Sequence, residues 1–375
     1  MKVALLNPVF WPEVRRGSER VVRDLADGLL ARGDRVRLIT SHRGRPSVTV
    51  EDGLEVQRLP RPPGGGRLDR RLYEHHLTHV PLSYLALKRH DPDVAHAFFA
   101  TDALAATRWG RETGRPVVFS FMGVPHRQGL ANRRLRKEII VRACAEASAV
   151  TALSQEAADA FGYWLGVEAR AIAPGVDLGA FTPDPAAHVT ASGADLGGST
   201  SEPVARAAAP TILCAADPGE PRKRVGLLAE AFALLRKRHP DARLVLSRRA
   251  GSDGDAAPSG PGIEWRDLDT REELVAANRE AWVHALPSFG EAFGLVLAEA
   301  LACGTTVVGP TRALVDDVGE HFTGDDAHAL AAALERALER ARDPATPAAC
   351  RARAEGFSRQ KTADAYAALY AELGA

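Results

Sequence analysis

Two series of alternating strands and helices run along the chain, and a stretch without periodicity separates them. In the first series, "KVALLNP" from Lys2 reads as a buried strand. "SERVVRDLADGLLARG" reads as a helix with Ser18 as its N-cap and Gly33 as its stop. "DRVRLITS", "LEVQRLP", "PDVAHAF", "PVVFSF" and "ASAVTALS" follow as further strands, with helices among them. The pattern restarts with "TILCAA" at Thr211 and continues through "ARLVLS", "IEWRD", "WVHALPS" and "TTVVGP". Such alternation implies a mainly parallel sheet with helices on both faces. Each series is therefore expected to form a doubly wound α/β domain, and 375 residues suffice for two such cores. The boundaries read as 1–183 for the first domain, 184–210 for an Ala-, Gly-, Ser- and Pro-rich linker or insertion, 211–356 for the second domain, and 357–375 for a final helix. Ligands of open α/β sheets bind beyond the carboxyl ends of the strands, so two such sheets imply a site in a cleft between them.

Lys and Arg number 48, as do Asp and Glu, so the formal net charge is zero, which argues against a dedicated nucleic-acid binder. Cys144, Cys214, Cys303 and Cys350 are far apart and form no C-x-x-C pair. They read as reduced, buried thiols, not as a disulfide framework or a zinc site. The apolar run after Met1-Lys2 is too short for a signal core, and no run approaches a membrane span, so a cytoplasmic location is expected. "PRPPGGGR" from Pro60 permits no regular structure.

"SFGEAFGLVLAEALACG", Ser288 to Gly304, carries the chemistry. Residues 289–292 form the loop at the carboxyl end of the strand "WVHALPS", and a helix is expected from Phe293. The backbone N–H groups of Phe293, Gly294 and Leu295 at that helix start favour an anion such as phosphate, and Gly294 allows a ligand close to the backbone. Glu291, in the loop, is placed to accept hydrogen bonds from sugar hydroxyls. Glu299 lies in an apolar helix, where an ionised carboxylate is costly unless it is hydrogen-bonded. Six residues beyond Phe293, at about 1.5 Å per residue, put it about 9 Å along the axis. That is a suitable reach from a diphosphate to a ribose, whose two hydroxyls one carboxylate can accept. The alternatives are a pairing with a nearby cation and exposure to solvent.

The same stretch resembles the donor-site signature of retaining glycosyltransferases with the GT-B fold, specifically the large family four. "PEVRRGSERVVRDLADGL", "PDVAHAF", "TALSQEAADAF", "IAPGVDLGAFTP" and "FSRQKTADAYAALYAEL" resemble further family segments in the expected order, so the resemblance covers nearly the whole chain. It implies two Rossmann-like domains facing a central cleft, with the acceptor on the N-terminal domain, the nucleotide sugar on the C-terminal one, and the last helix crossing back to the former. It also implies that Glu291 contacts the donor sugar, that Glu299 contacts the ribose, and that the amides of Phe293, Gly294 and Leu295 hold sugar and diphosphate. No metal or cofactor is expected; the co-substrate is a nucleotide sugar, UDP- or GDP-linked.

Several residues depart from the family pattern. "PGEPRKRVGLLAEAF" keeps the Lys, as Lys223, but has Arg224 where the family has Gly, and no Arg at Asp217 or Pro218. Arg222, Arg224, Arg248 or Arg249 are candidates to replace it. The family's His before the glycine of "FMGVP" is Met122 here, with His126 as a substitute candidate. His96, at a strand end, and Gly17 and Ser18, at a helix start next to Arg16, are candidate acceptor contacts. The expected partners are the nucleotide sugar and a small-molecule, lipid or glycan acceptor hydroxyl, with no nucleic acid. The chain is expected to be a monomer or homodimer, with peripheral membrane contact open through the basic, apolar-faced segment from Asn132. The Ala- and Arg-rich composition suggests a GC-rich bacterial genome and a role in natural-product or cell-envelope glycan synthesis. A non-catalytic nucleotide-sugar binder and a sugar-nucleotide epimerase on the same fold stay open.

Overall fold

The computed structural model describes residues 1–14, 17–62, 71–183, 206–248 and 258–375. Residues 184–205 of the expected linker, Arg16, Arg249 and most of the loop from Pro60 lie outside the described residues. The chain divides into two compact units, Met1–Gly175 with Arg359–Ala375, and Val176–Ser358.

In the first unit, strands β1 (Lys2–Leu6), β2 (Arg35–His42), β3 (Ser47–Glu51), β4 (Leu54–Pro60), β5 (Val94–Ala97), β6 (Val117–Phe121), β7 (Ala149–Ala152) and β8 (Arg170–Ala171) form one sheet. Its order is β3-β4-β2-β1-β5-β6-β7-β8. The pairs are parallel except β3–β4. Central strand β1 is apolar from Val3 to Leu6 because helices bury both of its faces. The strand–helix alternation does not anticipate β3. Its signal is the dipeptide Asp52-Gly53, whose φ angles of 48° and 82° form the hairpin turn to β4.

The helices of this unit are α1 (Gly17–Ala31), α2 (Val80–His90), α3 (Ala100–Thr113), α4 (Arg127–Ala131), α5 (Arg136–Glu146) and α6 (Gln155–Leu165). A short 3-10 helix, Leu77–His79, precedes α2. The second unit holds β9 (Thr211–Cys214), β10 (Arg243–Arg248), β11 (Ile263–Asp267), β12 (Val283–Ala285), β13 (Thr306–Gly309) and β14 (Gly319–His321). They form a wholly parallel sheet in the order β11-β10-β9-β12-β13-β14. Its helices are α7 (Val225–Leu235), α8 (Arg271–Glu280), α9 (Leu295–Ala302), α10 (Arg312–Val315), α11 (Ala327–Ala341) and α12 (Thr346–Glu355). The last helix, α13 (Arg359–Glu372), belongs to the first unit.

The first unit closes at Gly175, earlier than residue 183, for a visible reason. The Val176 N–H donates to the Phe357 carbonyl at 2.7 Å, and Arg351 donates to the carbonyls of Phe181 (2.8 Å) and Leu178 (3.1 Å). Residues 176–183 are thereby tied to the second unit.

Helix α13 packs on α1, where Gly28 permits the approach: a Cβ there would lie 2.7 Å from the Ala363 Cβ. At its other end a buried polar network joins α13 to the sheet. His96 Nδ1 lies 2.7 Å from the Tyr370 hydroxyl and Nε2 lies 2.6 Å from the Ser120 hydroxyl. Ser120 also reaches Thr151 and, at 3.0 Å, the Tyr366 hydroxyl. Strands β5, β6 and β7 are thus linked to one helix by hydrogen bonds among His96, Ser120, Thr151, Tyr366 and Tyr370.

A second buried pair sits between the 3-10 helix and α3. His79 Nε2 is 3.5 Å from Asp102 Oδ1, and the Ser83 hydroxyl donates to the same Asp102 oxygen at 3.2 Å. Burial raises the Asp102 carboxyl to about 8. Burial, with the charges of His76 and Arg61, lowers the His79 imidazole to about 3. Both are therefore neutral at pH 7. The folded Asp102 keeps a proton that the unfolded chain releases. Its contribution to stability is full below about pH 4 and is lost as pH rises toward 8. Asp102→Asn, whose amide mimics the neutral acid, is expected to remove this term. Urea unfolding from pH 4 to 8 should show the variant gaining on wild type as pH rises; a constant difference would refute a protonated Asp102.

Candidate active site

In the second sheet β9 lies between β10 and β12, so the chain order reverses there. Loops after the two strands flanking such a switch point diverge and leave a crevice at their carboxyl ends. The loop after β9 carries Arg222 and Lys223 in a short 3-10 helix, Pro221–Lys223. The loop after β12 carries Glu291. A backbone hydrogen bond, Phe289 N–H to Arg222 carbonyl at 2.8 Å, holds the two loops together.

Three charged side chains meet across that bond. Lys223 Nζ donates to Glu291 Oε2 at 2.7 Å, and Arg222 donates to the same oxygen at 3.3 Å. Arg222 also pairs with Glu220. The Lys223 and Glu291 side chains are only 15% and 12% exposed, whereas Arg222 is 42% exposed. Burial pushes the Glu291 carboxyl up. The Lys223 ammonium and then the Arg222 guanidinium outweigh that and hold it below the usual carboxylate range. Glu291 is therefore ionised, and its charge is matched by cations.

Arg224 takes a different route. Its backbone is left-handed, with φ 55° and ψ 38°, at the position before α7 where the family pattern has glycine. Its guanidinium donates to the Gly324 carbonyl at 2.6 Å and lies over the Phe289 ring, 5.4 Å from the centroid. Among the described residues, Arg222 and Lys223 are the cations paired with Glu291. Arg224 braces the loop instead, and Arg248 is exposed at the end of β10.

Helix α9 begins at Leu295, not at Phe293. Gly294 is left-handed, with φ 88° and ψ 58°, and this breaks the helical run. Phe293 lies outside the first turn, buried and packed edge-on against Phe357 at 5.3 Å. The N–H groups of Leu297 and Ala298 donate to the Gly294 carbonyl at 2.8 and 3.3 Å, so those that lack an intrahelical acceptor at this helix start are Leu295 and Val296. Glu299 is 2% exposed in α9, four residues or about 6 Å along the axis from Leu295. The expectation of about 9 Å from a helix starting at Phe293 is corrected accordingly.

The candidate acceptor residues of the first unit fare differently. His96 is fully buried and both ring nitrogens are engaged by Tyr370 and Ser120, so it is a core residue and not an acceptor ligand. Burial drives its imidazole down to about 3. His126 caps α4, its Nδ1 accepting from the Gly129 N–H at 3.2 Å. Met122 packs against the core. Gly17 is the first residue of α1, and Ser18 is its second, so Ser18 is not the N-cap; its hydroxyl donates to Glu19 at 3.1 Å. Among the described residues, no group of three His, Cys, Asp or Glu is arranged to hold a metal ion, and no helix is long and apolar enough to cross a membrane.

Residues 15–180 match the family described as Glycosyltransferase Family 4, and residues 209–340 match Glycosyl transferases group 1. The D-inositol 3-phosphate glycosyltransferase of Mycobacterium sp. (strain KMS) is 34% identical over 187 residues, which span 44% of this chain and 38% of that protein. The fold of sucrose-phosphate synthase from Thermosynechococcus elongatus matches with a TM-score of 0.78 at 21% identity, over 99% of this chain and 98% of that one. Anabaena HepE in complex with UDP-glucose matches with a TM-score of 0.72 at 17% identity, over 99% of this chain and 100% of that one.

A left-handed Gly294 has one direct consequence. The space around it admits a Cβ at ordinary contact distances of 3.5 Å and more, so its φ alone demands glycine. Gly294→Ala should cost about 1–2 kcal/mol of stability in denaturant unfolding. Wild-type stability in the variant would show that the loop takes another path.

Proposed function

The chain belongs to the family four, group 1 glycosyltransferases of the GT-B fold, and from that premise we propose that it moves a sugar from a nucleotide-sugar donor to an acceptor hydroxyl with retention of anomeric configuration. The observation that carries this reading is the Lys223–Glu291 contact at the carboxyl ends of β9 and β12. It puts a cation suited to a diphosphate beside a carboxylate suited to sugar hydroxyls.

In this reading Lys223 and Arg222 neutralise the charge that develops on the departing diphosphate, and no metal ion is invoked. Glu291 accepts hydrogen bonds from the donor sugar. The amides of Gly294 and Leu295 face the phosphates, as helix starts do, and Glu299 accepts from the ribose hydroxyls. The bond from the anomeric carbon to the diphosphate oxygen breaks as the acceptor oxygen bonds to that carbon on the same face. The departing phosphate oxygen takes the acceptor's proton.

The acceptor belongs to the first unit, with the start of α1 at Gly17 and Ser18 as the leading contact. A relative named for D-inositol 3-phosphate supports a small polyol or glycan acceptor in a bacterial biosynthetic pathway. Four buried, unpaired cysteines fit a cytoplasmic setting. The UDP-glucose complex of HepE supports a UDP-linked donor, with GDP next.

Thermal unfolding against UDP-, GDP-, ADP- and dTDP-sugars tests the donor reading. Saturation at about 100 times Kd adds about 2.7 kcal/mol of stability. One nucleotide class should raise the midpoint, and Glu299→Ala should remove the shift. No response to any class would overturn the reading. Lys223→Met tests the chemistry: at a temperature where the variant stays folded, turnover should fall about 100-fold or more, although the unpaired Glu291 lowers its unfolding midpoint. Undiminished turnover would remove Lys223 from the mechanism.

A further inference from the structure

In the loops after β9 and β12, the side chains paired around Glu291 balance in charge. Lys223 and Arg222 face Glu291, and Arg222 also faces Glu220, so two cations meet two carboxylates. Both cations converge on one oxygen, Oε2 of Glu291. The positive charge that would hold a diphosphate is already engaged by the protein. An arriving anion must therefore compete with Glu291 for Lys223 and Arg222.

That competition has an asymmetric outcome. The Glu291 side chain is 12% exposed, so bulk water does little to solvate it once its cations turn away. A carboxylate left in that state is costly unless hydrogen-bond donors replace the lost partners. The terminal phosphate of a bare nucleoside diphosphate brings none and adds a like charge. A sugar esterified to that phosphate brings several hydroxyl donors.

Resting on the donor reading above, we infer that Glu291 is the residue by which the site distinguishes a nucleotide sugar from the bare nucleoside diphosphate. It repels the diphosphate alone and accepts the hydroxyls of the sugar-bearing form. The same contact then favours release of the product diphosphate once the sugar has left. Glu291 is thus a determinant of donor-over-product selectivity as well as a sugar contact.

Calorimetric titration with UDP and UDP-glucose, and with GDP and GDP-mannose, tests this on wild type and Glu291→Gln. The variant should bind the bare diphosphate about tenfold more tightly and the matching sugar nucleotide more weakly. In a Lys223→Met background the gain for the diphosphate should shrink, because the contested cation is gone. Unchanged or weakened diphosphate binding in Glu291→Gln, with wild type still binding both ligands, would overturn the inference and leave the donor reading standing. Failure of wild type to bind any of the four would overturn the donor reading and this inference with it. Should Glu291→Gln misfold, Glu220→Gln tests the same balance from the exposed side, gaining diphosphate affinity without losing the sugar nucleotide. No gain there would also overturn it.

Discussion

An ionised carboxylate in a site nearly closed to water stands only if cations stand with it, and Glu291 meets that condition through Lys223 and Arg222. Removing either partner from a poorly solvated pair leaves an uncompensated charge. The two loops that supply these groups must therefore stay in register. The Phe289–Arg222 backbone bond does this directly. The strand order does it from further back: β9 and β12 are neighbours although more than sixty residues separate them in the chain. The parallel sheet brings distant charges to one edge, and the ion pairs fix the loops there.

Backbone strain gathers at the same place. Gly294, Gly290 and Arg224 all have positive φ, at 88°, 61° and 55°. Two of these are glycines and carry little penalty. Arg224 is not, and a left-handed arginine costs about 1 kcal/mol or more. Its bond to the Gly324 carbonyl and its position over the Phe289 ring offset that and brace the loop bearing Glu291. The arginine in a glycine position is thus part of the loop's support, and it leaves Glu291 to be paired by its neighbours Arg222 and Lys223. Strained residues at a site are stable only where their surroundings overdetermine them, as they do here.

Much of this was legible in the residues. Two alternating series read as two doubly wound units because strand and helix periods differ, and β1, apolar from Val3 to Leu6, reads as a buried strand of a parallel sheet. Glu299 drew attention because a carboxylate within "LVLAEALA" needs a reason. Two of the misreadings share a cause, which is contact between residues far apart in sequence. His96 read as a possible ligand because nothing local shows that Ser120 and Tyr370 close on its ring. The boundary at 183 read past Gly175 because Arg351, which ties Phe181 to the second unit, lies 170 residues away. The late start of α9 was a different miss: Gly294 read as a residue permitting close approach, when its φ also stops the helix.

The discontinuous first unit sets an order on folding. Its core includes Tyr366 and Tyr370 from α13, and the His96–Tyr370 contact spans 274 residues. Before α13 arrives, the imidazole of His96 and the hydroxyls of Ser120 and Thr151 have lost partners inside an apolar sheet, and unpaired buried polar groups are costly. The first unit is therefore incomplete until the whole second unit has been made, even though the second unit has all of its strands in one unbroken segment. Contacts of such long separation close late and slowly. The second unit, with its crevice and its balanced charges, can complete its own core first. The first unit reaches its final packing only when the last helix docks.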